Sequence, residues 1–350
     1  MSHQLHQDYD TDNVFDGLSS VFTTRCNQNQ TLEIEILPSS LGLGPLVHDG
    51  CSIGITKKAL VQAFVKARQV FLKAQDSRDA QLYGDENIIR SSEILLLFAP
   101  EHITACNWRK RRLIWVLQST STSEGTRIDD AHRQNIDISV ELDRELTLMT
   151  SFLCSPLHRH TKSPSLWQHR FWVLRQILDF GSWNSSGGVQ SVLQSELSIV
   201  LRAGELHPRN YYAFSYMRQL HAFFFPLPPT PPGVKTKIES NEETSAILDQ
   251  TISWCLAHPR DISGWMFLED MSNKQDVQAR TVNKVIRFAL DIGWTGESLW
   301  TFVDIAARRV GIVDGDLGSL ARVLGGEEPL KTSWKTWLAR AETYWADGHR

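Results

Sequence analysis

The stretch Lys162–Leu178, KSPSLWQHRFWVLRQIL, constrains the fold more than any other part of the chain. Trp167, Arg170 and Leu174 fall on one stripe of a helix, because separations of three and seven residues return to the same face. An indole on such a stripe needs a packing partner, so the helix must lie against neighbours. The layout then recurs. PRNYYAFSYMRQL from Pro208 places Phe214 in the aromatic slot, PRDISGWMFLEDM from Pro259 places Trp265 there, and GESLWTFVDIAA places Trp300. PEHITACNWRKRRL from Pro100 is a worn copy with Cys106 in the slot. Five slots separated by 35 to 61 residues match one helical hairpin plus a variable loop, which predicts a repeat protein.

Helical spacing fills the intervals between the motifs. Helices are expected over Thr56–Gln75, Asn87–Ala99, Ala131–Cys154, Val189–Ala203, Ser245–Ala257, Asp261–Met271, Gln275–Ile292 and Glu297–Arg308. A last helix near Ser333–Trp345, carrying Trp334, Trp337 and Trp345, is placed to hide the final apolar face of a stack. Only Thr31–Leu37 alternates like a strand, ending at Pro38. FPLPPTPPG at 225–233 cannot continue a helix and reads as an insertion between repeats.

Charge and composition narrow the function classes. Lys and Arg number 36 against 40 Asp and Glu, for a net charge of −4, so no overall field recruits nucleic acid or an anionic membrane. The local run Arg109–Arg112 reads as a solvated helix face. Five widely spaced cysteines form neither a disulfide framework nor a zinc knuckle and fit a reducing compartment. The polar N-terminus lacks a signal-peptide pattern and no eighteen-residue apolar run occurs, so a cytoplasmic chain without a membrane span is expected.

Catalytic and metal-binding patterns are equally sparse. His158, His160 and His169 lack a zinc-ligand spacing, and Asp8, Asp10 and Asp12 begin an EF-hand-like loop that Asn13 and Ser19 fail to complete. Gly42-Leu43-Gly44 is a loop, since Val47 stands where a nucleotide-binding turn needs its third Gly. There is no nucleophile elbow, no H-E-x-x-H and no P-loop lysine, so this chain is not expected to catalyse a reaction alone.

Taken in order, KSP-x-x-W-x-HR-x-WVL, NY-x-A, D-x-SG and E-x-LW resemble the P-x-N-Y-x-A-W-x-x-R-x-x-x-L repeat of protein prenyltransferase alpha subunits, and above all the repeat-containing branch of that family. The resemblance covers roughly residues 94–310. It departs from the pattern at Cys106, at Met217, and at Phe267-Leu268 and Phe302-Val303, where the His-Arg pair is lost. It implies an all-α fold, an α-α superhelix or solenoid of antiparallel, TPR-like helical hairpins. The implied layout is an N-terminal extension over 1–55 with a possible short strand, a repeat domain over 56–310, and a capping helix region over 311–350. The repeat motifs of that domain lie near 100–113, 162–178, 208–220, 259–271 and 296–307.

The resemblance also implies a function. Alpha subunits of this family wrap a beta subunit that holds the zinc and the isoprenoid cavity, and together they transfer farnesyl or geranylgeranyl to a protein cysteine. No cofactor is expected on this chain itself. Its implied partners are the beta subunit, an isoprenoid diphosphate and a protein carrying the acceptor cysteine. Arg209 and Tyr211 stand where the family's Lys and Tyr reach the diphosphate, as a cation and a phenol O–H suited to a departing anion. The competing reading puts Arg209 on the surface beside a helix start and Tyr211 in the core. Trp167, His169, Arg170, Trp172, Asn210, Phe214, Trp265 and Trp300 are expected to serve the repeat packing or the partner interface. The alternative function is a helical-repeat scaffold that binds partner proteins without any part in catalysis.

Overall fold

The computed structural model describes residues 11–75, 80–121, 138–179, 188–225, 242–272, 275–310, 324 and 333–348. The chain divides into two compact units, Met1–Gly188 and Val189–Arg350. The fold is an all-α helical repeat with one small sheet. The Pro-rich loop over 226–233, Asp8 and Asp10 near the start and most of the link into the last helix lie outside the described residues.

The first unit opens with α1 (Thr11–Gln28), then β1 (Glu33–Leu37), β2 (Leu46–Asp49) and β3 (Ser52–Thr56), and then α2 (Lys57–Gln75). It continues with α3 (Glu86–Phe98), α4 (Ile103–Ser121), α5 (Ile138–Leu153) and α6 (Pro164–Asp179). The sheet order is β1-β3-β2, with β1 parallel and β2 antiparallel to β3. Gly50 turns the β2–β3 hairpin with φ of 57°, a left-handed value that favours glycine.

The N-terminal stretch is therefore not an extension. Leu18 and Phe22 of α1 are fully buried, and Phe22 meets Phe152 of α5 edge-on at 6.4 Å. Beside β1, the backbone N–H groups of Leu32 and Ile34 donate to the hydroxyls of Ser151 on α5 (2.9 Å) and of Ser155 just past its end (2.8 Å). Those hydroxyls cover a strand edge that would otherwise remain an open template for pairing. No boundary falls at residue 55 for this reason: burial and hydrogen bonding tie the sheet to the helices.

The repeat motifs are realised as a common helix entry. In four of the five motifs the residue four positions before the slot caps the helix with its side chain, accepting an N–H three residues on; before Trp300 that position is Gly296. His102 caps for Ala105 (3.1 Å), Ser163 for Leu166 (3.2 Å), Asn210 for Ala213 (3.2 Å) and Asp261 for Gly264 (3.3 Å). Such a contact satisfies one of the donors left over at a helix start. Where the slot holds Trp, the indole N–H then reaches the carbonyl six residues earlier. Trp167 bonds Thr161 at 2.9 Å, Trp265 bonds Pro259 at 3.0 Å, and Trp300 bonds Trp294 at 2.8 Å. In the first motif Cys106 is buried but small, and Trp108 two residues on packs against Phe71 and Tyr83 instead.

The second unit comprises α7 (Gly188–Leu206), α8 (Tyr211–Phe224), α9 (Glu242–Ala257), α10 (Ile262–Met271), α11 (Gln275–Asp291), α12 (Glu297–Val310) and α13 (Trp334–Ala346). Its core is an aromatic column through the second helices of the hairpins. Phe214 lies 5.4 Å from Phe267, and Trp265 lies 5.2 Å from Phe302. Trp254 wedges between helices, and a Cβ at Gly264 would come within 2.5 Å of its ring, so only glycine fits there. α13 packs on α12, burying Trp337 while the Trp345 indole donates to the Leu290 carbonyl at 3.0 Å. The tail helix thus belongs to the second unit's core, and no division falls at residue 310.

Beside its apolar core the first unit buries a charged cluster. Arg109 forks onto Glu145 with contacts of 2.7 and 2.5 Å, Arg112 meets Glu141 at 2.7 Å, and Arg90 meets Glu93 at 2.6 Å. The basic run on α4 is accordingly not a solvated face. Arg109 and Arg112 are buried because α3 and α5 bring carboxylates to them, while Arg111 is exposed.

Substitutions at two positions test this packing. Trp167→Ala should cost about 3–5 kcal/mol in urea unfolding, whereas Trp167→Phe should cost about 1 kcal/mol for the lost indole bond. Equal stability of all three proteins would refute the helix-entry role. Ser155→Ala should cost about 1–3 kcal/mol by stranding the Ile34 N–H, and a silent substitution would return the sheet to the status of an appendage.

Candidate functional site

The exposed edge of the second unit is built by the turn Pro208-Arg209-Asn210 at the start of α8. Asn210 is fully buried; its Oδ1 caps the helix and its Nδ2 donates to the Ala203 carbonyl at 3.4 Å. Arg209 adopts φ of 60°, one of two left-handed non-glycine residues in the described chain. Its backbone N–H donates to Asp261 Oδ2 at 2.8 Å, which holds that conformation. Asp261 is 3% exposed and caps α10 with its other oxygen, so one carboxylate joins two successive turns. The next turn is joined likewise, by Ser298 Oγ donating to the Arg260 carbonyl at 3.1 Å.

This clamp turns the neighbouring side chains outward. Arg209 is exposed, Tyr211 is 54% exposed and Tyr212 is 49% exposed. Tyr211 is therefore not a core residue. A guanidinium and two phenols on one rigid turn can bind an anion through charge-assisted hydrogen bonds. A strained backbone held by its surroundings is a common feature of binding sites. Tyr212 escaped the sequence reading, since nothing in Tyr-Tyr says which ring faces water at a helix start. The linking role of Asp261 was half visible in the D-x-S-G cap pattern, but its second contact lies 52 residues away.

The other candidate residues sit inside. Trp167, Phe214, Trp265 and Trp300 are at most 2% exposed and pack hairpins. Arg170 is 2% exposed and donates to the Leu146 carbonyl (3.0 Å) and Thr150 Oγ1 (2.9 Å). Trp172 is partly buried between the His169 ring and the Lys110 ammonium, which lies 5.7 Å from its centroid.

His169 has no solvent-exposed surface, and its Nε2 lies 2.7 Å from Glu145 Oε1. Burial works against the Glu145 charge, but Arg109 together with bonds from His169 and Arg109 holds its carboxyl well below the usual range. Burial lowers the His169 pKa despite Glu145, so the ring stays neutral and donates from Nε2. A substrate cannot reach this group; it locks α5 to α6.

His160 is buried with Nε2 donating to the Leu96 carbonyl at 3.0 Å, and burial lowers its pKa to about 4. Burial also raises the Cys106 thiol to about 11 and keeps Cys255 protonated, so neither is an activated nucleophile. Among the described residues no group of three His, Cys, Asp or Glu could hold a metal ion. Within the same residues no helix is long and apolar enough to cross a membrane.

With this geometry in place, two comparisons bear on the class of protein. Residues 171–290, from the C-terminal half of α6 through most of α11, match the family model described as the ECM9 middle domain. That is a different family model from the one the repeat motifs resemble. The geranylgeranyl transferase type-2 subunit alpha of Candida albicans is 24% identical over 151 residues, covering 43% of this chain and 34% of that protein. The chain thus matches about a third of its relative's length.

The buried histidine sets a pH dependence. The unfolded chain takes up a proton at His160 near pH 6.5, the folded chain only near pH 4, so stability is complete above 6.5 and falls as pH drops between the two. The expected loss from this group is about 3 kcal/mol by pH 4. His160→Gln should flatten that slope in thermal melts from pH 4 to 7, and an unchanged slope would remove His160 as its source.

Proposed function

We propose that the chain is the alpha-type subunit of a heterodimeric protein prenyltransferase, working with a beta-type subunit that carries the zinc and the isoprenoid cavity. The observation that carries this reading is the outward clamp of Arg209 and Tyr211 at the head of α8. Similarity to a prenyltransferase alpha subunit supports it. In the reaction, the thiolate sulfur of the acceptor cysteine bonds to the first isoprenoid carbon as that carbon's bond to the diphosphate breaks. The diphosphate leaves with growing negative charge, which a preorganised guanidinium and phenol O–H stabilise. Arginine keeps the charge of the family's lysine and adds a planar fork able to grip two oxygens at once.

A scaffold would be favoured by the loss of the His-Arg pairs in the last two repeats and of the third repeat's Arg at Met217. Those positions hold Met217, Phe267, Leu268, Phe302 and Val303, all fully buried. Their replacement changes a core from polar to apolar and leaves the exposed edge untouched, so it gives the scaffold no support.

Co-expression with beta subunits of farnesyl- and geranylgeranyltransferases tests the proposal. One of them should co-elute with this chain and transfer its isoprenoid to a cysteine-bearing substrate. Arg209→Ala combined with Tyr211→Phe should slow single-turnover transfer by about a hundredfold, the order lost with one hydrogen bond to developing charge, while the complex still elutes intact. Unchanged transfer would strike both residues from the site. Failure to capture any beta-type subunit would leave the scaffold as the function.

A further inference from the structure

Between α1, α3, α4 and α5 the first unit encloses a cavity of about 70 Å³ lined by five arginines and four glutamates. A water needs roughly 10–15 Å³ of such volume, so the space takes one tetrahedral oxyanion and a little water. The charges around it do not cancel. Arg90, Arg109 and Arg112 each hold a carboxylate at 2.5–2.7 Å: Glu93, Glu145 and Glu141. Glu141 also accepts from Arg144 at 2.6 Å, and the fourth glutamate, Glu86, bonds Arg90 from a 68% exposed position.

Arg25 is the cation left over. It is 1% exposed, and its nearest carboxylate is Glu93 at 3.4 Å, an acid already engaged more closely by Arg90. One of its nitrogens donates to the Arg144 carbonyl at 3.1 Å, and its Nε–H, buried, has no hydrogen-bond partner. Burial accordingly lowers the Arg25 pKa, the reverse of Arg90 and Arg109 in the same cluster. A buried charge without full compensation is costly, and a small anion in the cavity would supply the missing charge and an acceptor.

We propose that this cavity is a binding site for a free inorganic oxyanion of the phosphate class, held against the Arg25 guanidinium. Its size favours the free ion over a phosphate ester on a lipid or protein, whose organic group would have to share the enclosed space. The site is independent of Arg209 and Tyr211, so it stands or falls apart from the prenyltransferase reading.

Calorimetric titration of the full chain with sodium phosphate, at ionic strength held constant with chloride, should give saturable one-to-one binding. Phosphate should also raise the melting temperature above that in chloride. Arg25→Lys, which keeps a point charge and removes Nε–H, and Arg25→Met should weaken binding by at least about tenfold and abolish the thermal shift. No saturable heat with the wild-type chain would mean that the cavity holds water alone, whether or not the variants fold. Binding unchanged in Arg25→Lys would place the anion elsewhere. Phenyl phosphate binding as tightly as phosphate would overturn the free-ion assignment.

Discussion

Each repeat depends on how its second helix begins. A capping side chain, an aromatic four residues later and, where that aromatic is Trp, an indole bond to the carbonyl six residues back fix both the first turn and the loop feeding it. The cap satisfies a backbone donor that would otherwise be stranded at a buried helix start. The indole satisfies a loop carbonyl while its rings fill the space between hairpins. Loop and helix thus become one rigid piece; at Arg209, where the slot holds Phe214 and no indole bond forms, the Asn210 cap and the Asp261 carboxylate hold the left-handed turn instead.

On this shared frame the two units solve the core problem differently. In the second unit aromatic rings meet along the hairpins, and the Tyr216 hydroxyl donates to Glu196 at 2.6 Å. In the first unit the equivalent level carries Arg109, Glu145 and His169, hydrogen-bonded with almost no exposure. Buried ion pairs contribute little net stability, because desolvation offsets their attraction, but breaking one strands a charge at a cost of about 3–5 kcal/mol. Such a core tolerates few alternatives and specifies its own arrangement. It is also why one surplus arginine beside a cavity stands out chemically.

Function follows from the same division. Catalytic groups need access, and His169 and Arg170, expected to serve the repeat packing or the partner interface, are enclosed. The outward Arg209 and Tyr211 owe their exposure to a backbone clamp whose acceptor, Asp261, belongs to the next repeat. The described layout leaves a positioned cation and two phenols at an exposed edge of the second unit.

The sequence alone determined the repeat, its aromatic slots and nearly every helix, because 3.6-residue periodicity, cap residues and prolines are local signals. The helix α1 is missed by the sequence signals, although Val14, Leu18, Val21 and Phe22 keep helical spacing, because Gly17, Ser19-Ser20 and Thr23-Thr24 weaken its propensity. Asp49-Gly50 marked the hairpin that joins β2 to β3. What only the tertiary structure decided was which charges are buried. Arg109 and Arg111 sit two apart on one helix and so face nearly opposite ways; periodicity puts Arg109 on the stripe of Cys106, Leu113 and Val116, but it cannot say whether a partner waits there to make burial of the charge tolerable. Glu145, 36 residues further on, is that partner, meeting one and not the other, since the desolvation of a charge is settled by partners that only folding brings within 3 Å.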